Sequence, residues 1–369
     1  QAATVLAVKG KRIALAEERL NRMATDGSSG DFTLQGAELY KDVFEHYLGQ
    51  IDHHGVGKNG LGTAHSFPTS MAFSPDGKTI YVTGYIWDSG SLGHCHHSVF
   101  KINYETNEPL SIFAGFSAFK DYGSDDTHFA VPTSVDTDTK ANVYVSDHMN
   151  DRVQIFEPSG KLLKSLSVSK PSKVLIHQKT GEVYVLSWGV VGVPPELVKK
   201  QDYWKDKIPQ KLSIFTAFPE MKLKQEYDFP LGPSDISKGA ISIGAFYQVA
   251  LDSWTDNPTI WVVGAGGYAS KGMDEGRYGP DPKIWESGIR IIQLKDGKWE
   301  VIGNQQQNAT KDSISLSSMT RPLFFNRQNE KLYVGSEGGL IEIDPLTNKK
   351  SSFTVPFSHD DMDIDYNGL

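Results

Sequence analysis

Histidines offer the most chemistry in this sequence, and they are not evenly scattered. His65, His128 and His359 each stand a few residues ahead of a segment that reads as a strand. Two of them precede the same tripeptide, Pro68-Thr69-Ser70 and Pro132-Thr133-Ser134. Three imidazoles brought together from distant parts of a chain suit a borderline divalent metal, with Asp360 and Asp361 beside His359 as carboxylate ligands. A wet, hydrogen-bonded channel mouth would use the same residues. A second group is local: His94-Cys95-His96-His97 is compact enough to bind metal or present a thiolate of lowered pKa, and reads equally as a polar turn entering a strand. Cys95 is the only cysteine, which excludes an internal disulfide and a thiolate-rich metal site, and there is no Cys-x-x-Cys-His run to attach haem covalently. Redox cofactors are therefore expected in a partner and none in this chain, apart from a divalent metal at the histidines.

Other motif matches fail on context. Gly55-Val56-Gly57-Lys58-Asn59-Gly60 fits a dinucleotide pattern, but another loop follows it where the phosphate site needs a helix. Asp363-Ile364-Asp365-Tyr366-Asn367-Gly368 imitates the front of a calcium loop without the closing Glu. Asn308-Ala309-Thr310 is a glycosylation acceptor only in a eukaryotic secretory setting. No nucleophile elbow or Ser-His-Asp order is evident.

The chain has 369 residues, 37 basic against 45 acidic, for a net charge of −8, so it lacks the basic footprint that nucleic acid requires. No apolar run is long enough to predict a membrane span. The start, Gln1-Ala2-Ala3, reads as a processed, exported protein or as a trimmed one.

One unit recurs behind these residues: an alternating strand, a tight polar turn, and a second strand of apolar-aromatic-Val type. It is seen at Ile80-Tyr81-Val82, Val143-Tyr144-Val145, Val183-Tyr184-Val185, Ile260-Trp261-Val262 and Leu332-Tyr333-Val334, each followed by a second strand pair. Four antiparallel strands, repeated, predict an all-β fold, a β-propeller forming one domain over residues 1–369. Six or seven blades are expected, with the ring closed in a shared blade. Met362 to Leu369 would supply a first strand to Thr4–Val8 and Arg12–Ala16, which lack one. Short helical insertions are expected at 37–48 and near 195–204.

Chain direction then sorts the loops. The long ones, 85–97, 187–210 and 264–287 after second strands and 49–67, 115–131, 228–240 and 303–320 after fourth strands, share one face. Long loops of this kind are usually functional. Nine of the 11 histidines fall on that face, as do Trp87, Trp188, Tyr203, Trp204, Tyr268, Tyr278 and Trp285. The aromatics suit a protein interface, or pack their own loops onto the disc.

The run Val143-Tyr144-Val145-Ser146-Asp147-His148-Met149-Asn150-Asp151-Arg152-Val153-Gln154-Ile155-Phe156, followed by Pro158-Ser159-Gly160-Lys161, resembles the NHL-repeat propellers. That family includes amidating lyases with an axial metal held by His from several blades. The resemblance therefore implies, as one alternative, a metal-dependent lyase or hydrolase using His65, His128 and His359. The acidic chain, decorated on one face and ending His359-Asp360-Asp361-Met362-Asp363-Ile364-Asp365, also resembles the haem-free propeller subunits of hydrazine synthases from anammox bacteria. This implies an exported or extracytoplasmic protein, in the anammoxosome lumen, packed against haem-bearing subunits and walling the path between their active sites. Such a subunit is not catalytic alone.

Overall fold

The computed structural model describes residues 3–9, 12–17, 66–86, 95–103, 111–116, 121–190, 196–197, 208, 210–229, 248–263, 288–306, 323–326, 330–336, 339–347 and 349–354. Twenty-two strands are described. A two-stranded sheet, β1 (Ala3–Lys9) and β2 (Arg12–Glu17), comes first. Five antiparallel four-stranded sheets follow in chain order. They are β3 (Ser66–Phe73), β4 (Thr79–Ile86), β5 (Cys95–Asn103), β6 (Ser111–Phe116); β7 (Pro132–Thr137), β8 (Val143–Asp147), β9 (Arg152–Phe156), β10 (Leu162–Ser167); β11 (Pro171–Ile176), β12 (Val183–Ser187), β13 (Lys211–Phe215), β14 (Leu223–Asp228); β15 (Gln248–Leu251), β16 (Thr259–Val263), β17 (Gly288–Lys295), β18 (Lys298–Gln306); and β19 (Leu323–Asn326), β20 (Lys331–Ser336), β21 (Gly339–Ile343), β22 (Lys350–Thr354).

The recurring aromatics explain why each sheet seats as it does. Tyr81, Tyr144, Tyr184, Trp261 and Tyr333 occupy the second strand of their sheets and are all buried. Burial then falls outward: β8 and β12 are buried at every position, while β14 is almost wholly exposed. A strand covered on both faces reads as a continuous apolar run, which is how these segments stood out. Turns between first and second strands also repeat. Ser74, Asp138 and His177 each donate their N–H to a carbonyl at or just before the start of the next strand, those of Thr79, Asn142 and Glu182. Inside those turns the chain enters the left-handed region at Gly77 (φ 71°), Ala141 (φ 66°) and Gly181 (φ 74°). Two blades meet that demand with glycine and one with alanine.

Neighbouring first strands pack on one another: β3 against β1, β7 against β3 and β4, β11 against β7 and β8, β19 against β15 and β16, and β1 against β19 and β20. Between β11–β14 and β15–β18 the join is apolar, with Leu186, Leu212 and Ile214 in one cluster with Val249, Leu251, Ile260 and Val262. This is the expected β-propeller, with five four-stranded blades among the described residues rather than the six or seven expected. Among the described residues, the next place in the ring holds the β1–β2 pair. Because β1 itself adjoins the first strands β3 and β19, the N-terminal segment stands in the first-strand place it was expected to lack. Met362–Leu369 and the helix expected over 37–48 lie outside the described residues, while residues 196 and 197 are helical.

Candidate functional site

The polar residues with the densest bonding lie between β8 and β9. Asp147 ends β8, His148–Asn150 form a 3-10 turn, Asp151 is left-handed (φ 53°), and Arg152 opens β9. Asp147 and Arg152 are register partners across the hairpin, so their side chains share a face. The buried Asp147 carboxylate accepts from Arg152 Nε and Asn150 Nδ2, each at 2.8 Å, and from the Ala130 N–H at 2.7 Å. Burial pushes this carboxyl up to about 6, against the pull of those donors. The rest of the guanidinium reaches the carbonyls of Ser124, Asp125 and His128 at 3.0, 2.8 and 2.7 Å, and Asn150 reaches Gly123 O at 2.7 Å. One hairpin thus fixes the loop 121–131 of the preceding blade. At the end of that loop Val131 is β-branched with φ 63°, a strained conformation that persists only where its surroundings impose it. His97 Nδ1 accepts the Val131 N–H and the His148 N–H bonds the Val131 carbonyl, both at 3.2 Å.

The predicted histidine sites fare differently. His128 Nδ1 lies 2.8 Å from Asp125 Oδ2, and the ring stacks on Phe116 with centroids 4.4 Å apart. Phe116 belongs to β6, the outermost strand of its blade, so His128 is held away from the ring axis. Hydrogen bonds from His128 and Thr127 hold the Asp125 carboxyl well below the usual range. Cys95, His96 and His97 belong to strand β5 and not to a loop, and His97 is buried on the Val131 N–H. His65, His94, His359, Asp360 and Asp361 lie outside the described residues. Among the described residues no three His, Cys, Asp or Glu side chains are grouped to hold a metal ion. Trp188 is 3% exposed in a core cluster with Val190 and Leu197, which makes it packing for this chain's own interior. Tyr203, Trp204, Tyr268, Tyr278 and Trp285 lie outside the described residues.

A second polar set follows the first strands. Pro68, Pro132 and Pro171 each sit at a register shift, and the residues after the shift are Ser70, Ser134 and Lys173. Ser70 Oγ both accepts the Val135 N–H and donates to the Val135 carbonyl, each at 3.2 Å. Ser134 repeats this on Val174, at 3.2 Å from the N–H and 3.4 Å to the carbonyl. Each serine therefore staples its strand to the next blade. Lys173 cannot make that pair of bonds. Its Nζ instead donates back to Ser70 Oγ at 3.1 Å, past the intervening blade. Asp136 clips the same strands together, its Oδ2 accepting the Ile176 N–H at 2.7 Å. Burial raises the Asp136 carboxyl to about 6 and lowers the Lys173 ammonium to about 8, their mutual attraction opposing both shifts. The shared Pro-Thr-Ser drew attention to the histidines before it. Aligned with Pro171-Ser172-Lys173, it would have drawn attention to this row.

No protein-family model matches the chain, and no curated protein matches it. Among solved structures it is similar to hydrazine synthase from Kuenenia stuttgartiensis, at 12% identity over 78% of this chain with a TM-score of 0.42, spanning 66% of that chain, just under two thirds. It is similar also to a gluconolactonase from Xanthomonas campestris, at 11% identity over 79% of this chain and 76% of that one with a TM-score of 0.42. A third is virginiamycin B lyase from Staphylococcus aureus, at 10% identity over 78% and 70% with a TM-score of 0.38. The NHL-repeat resemblance rests on the residues of the β8–β9 segment alone.

Proposed function

We propose that this chain is a haem-free propeller subunit of an extracytoplasmic multi-subunit redox enzyme, of the kind found in hydrazine synthase. In this reading it works through assembly, presenting its elaborated face to haem-bearing subunits and walling the path between their active sites. One observation carries the reading. The Asp147, Asn150 and Arg152 set, which has the charge and density of a catalytic cluster, is bonded to the chain's own backbone, and its effect is to fix the loop 121–131 on the face where the long connections gather. A loop ordered in advance loses less entropy when a partner covers it. Among the described residues no helix is long and apolar enough to cross a membrane, which is compatible with such a role. The test is native mass determination and absorption spectroscopy of the complex isolated from the source organism. The chain is expected to migrate with haem-bearing chains and to share their Soret absorption. A chain that purifies alone, carries a stoichiometric divalent metal and loses a lyase or hydrolase activity on chelation would replace this reading with the metal-dependent one.

A further inference from the structure

We propose that His128 is a modification site whose Nε2 is a nucleophile toward small neutral acyl donors. The geometry that sets this up lies at the other ring nitrogen. Nδ1 stands 2.9 Å from Asp125 Oδ1, 2.8 Å from Asp125 Oδ2 and 3.1 Å from Thr127 Oγ1. The Thr127 hydroxyl donates its own proton to Asp125 Oδ1 at 2.7 Å, so both neighbours of Nδ1 are acceptors and Nδ1 carries the proton. In the neutral ring the lone pair is therefore on Nε2, which makes no hydrogen bond among the described residues. Phe116 stacks on one face of the ring with centroids 4.4 Å apart. A Cβ at position 123 would lie 3.0 Å from His128 Cβ and Cγ, a space that Gly123 leaves free. Arg152 donates to the His128 carbonyl and Asn150 to the Gly123 carbonyl, each at 2.7 Å, so the backbone under the ring is fixed too. With Nδ1, the root of the ring and one face occupied, the side chain is 30% exposed through what remains, the second face and the Nε2 edge.

In the reaction the Nε2 lone pair adds to the acyl carbon and a carbon–nitrogen bond forms. The bond from that carbon to its leaving group breaks, and the leaving group departs with the electron pair. Positive charge that develops on the ring faces the Asp125 carboxylate, and the Nδ1 proton then passes to water. Hydrogen bonds from His128 and Thr127 hold the Asp125 carboxyl well below the usual range, so this countercharge is in place wherever the ring is neutral. The surroundings select the donor. Asp121, Asp125 and Asp126 are exposed, residues 121–131 include no Lys or Arg, and Arg152 beneath them is paired with Asp147, a field that repels anionic phosphoryl donors. The other described histidine rings do not offer such a nitrogen, since His97, His148 and His177 are buried. This inference does not depend on the assembly role proposed above.

Limiting diethyl pyrocarbonate on the native, isotope-labelled full-length chain tests it, with the adduct located by peptide mass spectrometry and the reacting nitrogen identified by NMR. The carbethoxyl group should appear on His128 at Nε2 alone, whereas free N-acetylhistidinamide has both tautomers to react from. No adduct at His128, or an adduct at Nδ1, overturns the proposal, and this readout needs no variant to fold. Rates are compared on the plateau above about pH 8.5, where an imidazole is neutral with or without a carboxylate neighbour, so that a change in protonation does not mask the effect. There Asp125→Asn, at an exposed position and checked for a native melt, should slow the His128 reaction roughly threefold or more, because the countercharge is gone. An unchanged plateau rate would remove Asp125 from the step and overturn the nucleophile it is said to create. Phosphoramidate, an anionic donor, should label His128 no faster than it labels N-acetylhistidinamide, and faster labelling would overturn the restriction to neutral donors.

Discussion

Replacing Arg152 with Met keeps most of the apolar stem and deletes the charge, which isolates what the guanidinium does for Asp147. The Asp147 side chain is 0% exposed and the Arg152 side chain 11%, so the carboxylate left behind finds no water to replace its partner. Removing one member of a buried ion pair costs about 3–5 kcal/mol. The carbonyls of Ser124, Asp125 and His128 also lose a donor, but two of those three bonds are exposed, so they add little. An unfolding entropy of about 2.1 cal/mol/K per residue gives roughly 0.8 kcal/mol/K over 369 residues. A loss of about 4 kcal/mol is then a fall in Tm of about 5 °C at pH 7. Without the cation the folded Asp147 carboxyl rises further above its ordinary 3.8, and a raised carboxyl favours the fold at low pH and loses that advantage as pH rises. The deficit of Arg152→Met should therefore be smaller at pH 5 than at pH 8. Thermal melts followed by circular dichroism at both pH values, together with Asp147→Asn and the double variant, complete the cycle, with an expected coupling of about 2 kcal/mol or more. A melt within 1 °C of the parent, or an equal deficit at pH 5 and pH 8, would refute the brace.

His148 is buried beside Pro171 O and Ser172 Oγ, and burial pushes its pKa down to about 3 from an ordinary 6.5. The fold thus holds the neutral ring, and its contribution is complete above pH 6.5 and declines as pH falls toward 3, by up to about 1.4 kcal/mol per unit. Asp136 and Asp147, raised to about 6, act in the opposite sense between pH 4 and 6, so His148→Gln, by removing the His148 share alone, should flatten the acid limb of a stability-versus-pH curve. Ser134→Ala removes both bonds to Val174 and should cost about 1–3 kcal/mol in denaturant titration, whereas a loss under 0.5 kcal/mol would contradict the staple. Ala141→Gly relieves the left-handed φ of 66° and should raise stability by roughly 0.5–1 kcal/mol, and any decrease would show that the turn does not strain alanine.

The blades were legible because their second strands are covered on both faces, and such a strand opens on an apolar run with room for one aromatic. Tyr81, Tyr144, Tyr184, Trp261 and Tyr333 could be read off for that reason. Five four-stranded blades and the Ala3–Glu17 pair are described where six or seven blades were expected, because the shared blade was to be completed by Met362–Leu369, which lies outside the described residues. For the histidines, position ahead of a strand does not give direction. His128 turns to Asp125 three residues earlier and to Phe116 on the outer strand, and the first of those partners could have been found as a local pair. The brace could not be found that way, since Arg152 acts on carbonyl groups that have no sequence signature.

Among the described residues the staples run in one direction, from β3 to β7 and from β7 to β11. Ser70 and Ser134 make the sheets beginning at β3, β7 and β11 into a sector joined by directional bonds. Beyond β11 the next junction relies on apolar packing, which resists separation but tolerates sliding. That junction is nevertheless pinned at its plain face, where His177 Nε2 meets Thr255 O at 2.9 Å and the Lys179 N–H meets Ser253 O at 3.1 Å. A seam fastened along one rim and lubricated above it behaves as a hinge. The junction between β12–β13 and β15–β16 can therefore open above its pinned rim, while the stapled sector beside it stays rigid.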